Sequence, residues 1–146
     1  MMGYRSDVTY MIRFPSRKIA REFMAMQRLL PEIGDAIDEL KYVDATMPYL
    51  VGEFLRVQWY PEDEGIRNHV AFLSNAGDQG FAWAVARLGE NDEDVEIDHC
   101  DGEHPAYPEG VIVSLYDELY VERRIRCSAD IETGVSPRTL SKNENG

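Results

Sequence analysis

Asp92, Asp94, Glu96 and Asp98 occupy alternate positions of the run Asp92-Glu93-Asp94-Val95-Glu96-Ile97-Asp98. Carboxylates at this spacing suit two kinds of chemistry. They are hard oxygen ligands that can gather a divalent cation. On a strand they would also project from one face about 6.6–6.8 Å apart, twice the rise per residue. Such a row of fixed charges resembles successive phosphates of a nucleic-acid strand. The cation reading fits an EF-hand loop poorly. Counting from Asp92, the sixth position should be Gly and is Ile97, although the twelfth is Glu103. Asp92, Asp94 and Asp98 as ligands of a divalent-metal-dependent hydrolase remain an alternative. No dedicated metal or cofactor site is expected.

Other reactive types are sparse. His99, Cys100 and His104 are zinc-capable, but a structural zinc site needs a second close set of ligands, which only Cys127 could supply. His99 and Cys100 are adjacent, so on a strand they point to opposite faces and do not form a nucleophile–base pair. Gly-x-Ser-x-Gly, a phosphate-binding Gly-rich loop and His-Glu-x-x-His are absent. No catalytic residue is assigned. Trp59, Tyr60, Phe81, Trp83, Tyr116 and Tyr120 could stack on bases, but they lack the surrounding Lys and Arg that hold a phosphate backbone. They are expected in the core and on sheet faces, and direct nucleic-acid binding is not expected. Arg123, Arg124 and Arg126 are expected to pair with acids on neighbouring strands.

Charge is distributed unevenly. Between Arg87 and Arg123 there are 12 acidic residues and no Lys or Arg, while the rest of the chain balances 15 acidic against 15 basic residues. The whole formal charge of -12 therefore sits in one segment. Such a surface repels nucleic acid and anionic membranes and attracts basic protein surfaces or cations. The residues expected to make charged contacts with a partner are Glu90, Asp92, Glu93, Asp94, Glu96, Asp98, Asp101 and Glu103. The plain alternative is a solvated face that only confers solubility.

The elements that must position these groups follow from periodicity. Val8, Tyr10, Ile12 and Phe14 alternate as a strand, and Ser16 can cap a helix over 17–30. Ile33, Ile37 and Leu40 continue a second short helix after Pro31. Residues 53–60 alternate again. Pro61 to Gly65 opens a helix with core stripe Ile66, Val70 and Leu73. Residues 80–88 read as a strand, and Val95 and Ile97 mark the buried face of another. Val111, Val113 and Leu115 form the next, and Leu119 to Cys127 a final strand or hairpin arm. The class is α+β: a mainly antiparallel sheet with two or three helices packed on one face. A chain of 146 residues with 44% hydrophobic residues fits a single domain over 1–128, followed by a disordered polar tail over 129–146. No apolar run approaches the roughly 20 residues of a membrane span. Met1 to Asp7 has no signal pattern, so a cytoplasmic location with both cysteines reduced is expected.

The opening Gly3-Tyr4-Arg5-Ser6-Asp7-Val8 resembles a group of small uncharacterised phage and prophage proteins. The resemblance extends in short blocks through Val57-Gln58-Trp59-Tyr60, Gly80-Phe81, Leu88-Gly89-Glu90 and Leu119-Tyr120-Val121. It implies an accessory role in a host cytoplasm and brings no catalytic residues. Together with the acidic segment, it leads to the expectation of a protein that binds and inhibits a host protein with a basic, nucleic-acid-binding surface, in its sharpest form by mimicking DNA. Gyrase or another DNA-handling or defence enzyme is a candidate target.

Overall fold

The computed structural model describes residues 4–60, 62–91, 93–109, 113–121, 124–129, 131 and 134–137. Its centre is a five-stranded antiparallel sheet in the order β2-β3-β1-β4-β5. The strands are β1 (Ser6–Arg13), β2 (Lys41–Val43), β3 (Tyr49–Val57), β4 (Ala82–Gly89) and β5 (Val95–Cys100). Three helices, α1 (Arg17–Gln27), α2 (Pro31–Asp38) and α3 (Glu64–Asp78), cover one face. A hairpin of β6 (Leu119–Val121) and β7 (Ile125–Cys127) lies with neighbouring loops on the other. The α+β class and the helices on one face are as the periodicity predicts.

Alternation along β1 sorts the two cores. Tyr10, Ile12 and Phe14 point to the helix side and pack with Phe23, Ile37, Phe72 and Phe81. Each such buried side chain contributes about 1.5–3 kcal/mol. Met11 points to the other side, with Ala82, Ala84 and Ala86 of β4. Those three small residues let Tyr107, Leu115 and Leu119 approach the sheet closely. The Tyr107 hydroxyl donates to the Arg13 carbonyl and accepts from the Ala82 amide at 3.0 Å, tying the loop to two strands. Gly80 (φ +85°) turns the chain into β4, and its carbonyl accepts from the amides of Glu103 and His104.

Several expectations are corrected. The third strand spans Tyr49–Val57, with an irregularity near its end at Arg56, whose backbone is left-handed (φ 55°) and held by an Asp7 carboxylate on its amide at 2.8 Å. The short β2 was not foreseen. The buried stripe of α3 is His69, Phe72, Leu73 and Ala76, with Val70 exposed. Val95 and Ile97 are exposed because nothing among the described residues covers that face of β5. Residues 111 and 112 lie outside the described residues, and Val113 makes a single bridge, to Gly102. The segment after Ser128 is not a free tail over its described part. Ile131 packs on the second core, and Val135 exchanges backbone hydrogen bonds with Tyr42 at 2.7 and 2.9 Å, covering the β2 edge. Residues 138–146 lie outside the described residues.

Candidate functional site

Hairpin pairing of β4 with β5 sets the acidic residues along the opposite edge of the sheet. The register places Arg87 opposite Glu96 and Val85 opposite Asp98, on the helix side. Helix α3 covers only part of that side. Its N-terminal half carries Ile66 and Val70, and these line a groove of about 470 Å³ with Trp59 and Val85. Tyr4 and Tyr60 stand in the lining too, joined by a 2.9 Å hydrogen bond from the Tyr60 hydroxyl to the Tyr4 carbonyl. Asp94, Glu96 and Asp98 supply the charge. Three carboxylates against the Arg87 guanidinium leave the groove two net negative charges.

Arg87 organises this wall. Its fork donates to both Asp94 oxygens, at 3.0 and 2.6 Å, and Nη2 lies 3.1 Å from Glu96. The Tyr4 hydroxyl donates to Asp94 at 2.8 Å. The hydrogen bond from Arg87, then that from Tyr4, holds the Asp94 carboxyl below the usual carboxylate range, and the same pairing raises Arg87. Gly89 makes room, because a Cβ there would collide with the Tyr4 hydroxyl and Asp94 Oδ2.

The other predicted contacts are spread along the same edge. Glu90 accepts from the Arg5 amide at 2.8 Å at the hairpin tip, and Glu93 is exposed beside it. Asp98 accepts from the His99 amide at 2.9 Å, and Asp101 lies 3.6 Å from the His99 ring. Glu103 is exposed in the following loop. Asp92 lies outside the described residues. The cation set into the row is Arg87 from β4. Among the described residues no three His, Cys, Asp or Glu side chains converge to hold a metal ion, and Asp94 is already engaged. No helix among them is long and apolar enough to cross a membrane.

No family model matches the sequence, and neither a curated protein nor a solved structure matches it.

Sequence reasoning missed Arg87, Tyr4 and a second cluster around His69. That imidazole is buried against Tyr10, Phe54 and Trp59. Its Nδ1 lies 2.7 Å from the Tyr10 hydroxyl. No other acceptor for that hydroxyl is found among the described residues, so Tyr10 donates and the ring proton sits on Nε2, 3.6 Å from Glu39. Burial pushes His69 down despite the pull of Glu39. A lone His on a helix gives no sequence signal for this. Arg87 had a partial one: it stands two residues before Gly89 at the end of β4, and the hairpin register then faces it to Glu96.

Proposed function

We propose that this chain is a binding protein that engages a basic surface of another protein through the edge of β5. The observation that carries this reading is the placement of Glu96 and Asp98 on the exposed edge strand, lining a groove with an apolar floor, with exposed Glu93, Asp101 and Glu103 in the segments that flank the strand. Carboxylates fixed in this way displace counterions from a basic surface, and the apolar floor adds contact area that a purely solubilising face would not need. The resemblance to phage proteins directs the partner toward a host protein that handles nucleic acid.

Imitation of a phosphate strand is one form of this reading. It requires carboxylates that act independently. The fork of Arg87 on Asp94 and its contact with Glu96 favour the other form, in which a basic protein segment docks in the groove.

The test is capture of host proteins by the immobilised chain at low and high salt, beside the variant Glu96→Lys/Asp98→Lys. A partner retained at low salt, released at high salt and lost to the variant is expected. A partner held equally by the variant would reduce the acids to a solubility feature.

A further inference from the structure

We infer that the acidic edge receives its partner as an added β-strand, and that this strand alternates basic and apolar residues. The inference rests on the protein-binding role proposed above and specifies the partner's chemistry.

The backbone of β5 sets the register. Gly89 donates to the Asp94 carbonyl at 2.8 Å. In an antiparallel ladder Asp94 and every second residue after it then face β4, while Val95, Ile97 and His99 turn their backbone groups outward. Glu93 takes the Val95 amide at 3.1 Å, and the Asp98 carboxylate takes the His99 amide. The Ile97 amide and carbonyl have no partner among the described residues. Val135 covers the opposite edge of the sheet, at β2, which directs strand addition to β5.

The side chains then specify the incoming sequence. On the groove side Glu96 is 73% exposed, with Asp98 next in the row. A strand laid beside β5 presents every second side chain to that row at the same spacing. Lys or Arg there meets both carboxylates, with its aliphatic stem lying toward Val85 and Val70. On the other side Val95 and Ile97 are 38% and 41% exposed. The intervening side chains of the incoming strand lie against these two, and apolar residues bury them. The docking stretch is short, because Gly102 pairs with Val113 and Tyr116 packs on His99 with ring centroids 5.0 Å apart.

Three labelled peptides test this by fluorescence anisotropy at low salt. One alternates Arg and Val, one has the same composition in two blocks, and one is the alternating peptide N-methylated where its amides would face β5. The alternating peptide should bind. The block and N-methylated peptides should each bind about tenfold or more weakly, the ratio expected for losing a hydrogen bond or two. The variant Glu96→Gln/Asp98→Asn should weaken the alternating peptide and flatten its salt dependence. If all three peptides bind equally and only this variant matters, strand addition is wrong and the acidic-surface reading stands. If none binds, both fall. A chain that is dimeric in solution, and made monomeric by Ile97→Lys, would place a second copy on this edge and overturn the inference.

Discussion

Arg87 and Asp94 are joined by two parallel hydrogen bonds beside the turn of the β4–β5 hairpin. A fork of this kind fixes orientation as well as charge. It turns a run of acids that would repel one another into a wall with one cation set into it.

Replacing that cation should therefore cost stability in a salt-dependent way. Arg87→Gln leaves Asp94 and Glu96 without their cation, and the melting temperature should drop at low salt. Added salt screens the carboxylates and should recover part of the loss. The acid limb adds a second signature. The folded Asp94 carboxyl is depressed, so its stabilisation is complete above the unfolded value of about 3.9 and fades as pH falls through the lower folded value. Asp94→Asn should remove that part of the acid sensitivity, read from unfolding midpoints below about pH 5.

His69 predicts a separate transition nearer neutrality. Its folded pKa is lowered by burial, so the unfolded chain takes up the proton first as pH falls. Stability is full above about pH 6.5 and declines as pH drops toward the folded value. His69→Gln keeps an acceptor for the Tyr10 hydroxyl and cannot titrate. Urea unfolding at about pH 7 and about pH 5 should show a smaller difference for the variant than for the parent.

The C-terminal segment should contribute measurably to stability. Val135→Pro deletes the amide that donates to Tyr42 at 2.9 Å, a loss of roughly 0.5–1.5 kcal/mol. Truncation after Ser128 also removes Ile131 from the second core and should cost more. Equal melting temperatures for parent and truncation would show that this segment is not held.

The two thiols should differ in reactivity. Burial pushes Cys127 up to about 11, and its sulfur lies 3.5 Å from that of Met11. Cys100 is raised by burial and then by Glu103, Asp101 and Asp98. A thiol-disulfide reagent should modify Cys100 first and Cys127 more slowly, with unfolding levelling the two rates. Salt should speed the reaction of Cys100, because its thiolate forms among carboxylates.

Alternation made β1 readable, because Tyr10, Ile12 and Phe14 form a continuous buried row. The third strand was misplaced because its buried part, Leu50, Val51 and Gly52, does not alternate with polar residues. Strand β2 has three residues and forms by pairing with β3, a tertiary cause that no local pattern carries. In α3, Ile66, Val70 and Leu73 are as helical in spacing as His69, Phe72 and Ala76. The sheet takes the second set together with Leu73, and Ile66 and Val70 overhang it to line the groove. The acidic edge was legible as composition, but the pairing of Arg87 with Asp94 and Glu96 depends on hairpin register. Charge counting treated Arg87 as a boundary marker only.

The two edges of the sheet are protected by different means. Val135 closes β2 with the chain's own backbone, while β5 is guarded by like charge. Two molecules meeting edge to edge at neutral pH would bring one row of carboxylates against another, so growth of the sheet into a fibre is opposed by repulsion rather than by a steric plug. That barrier depends on ionisation. With Glu96 and Asp98 replaced by Gln and Asn, the edge, flanked by Val95 and Ile97, would be neutral and apolar. Loss of that charge therefore turns a guarded edge of this fold into the one most prone to seed aggregation.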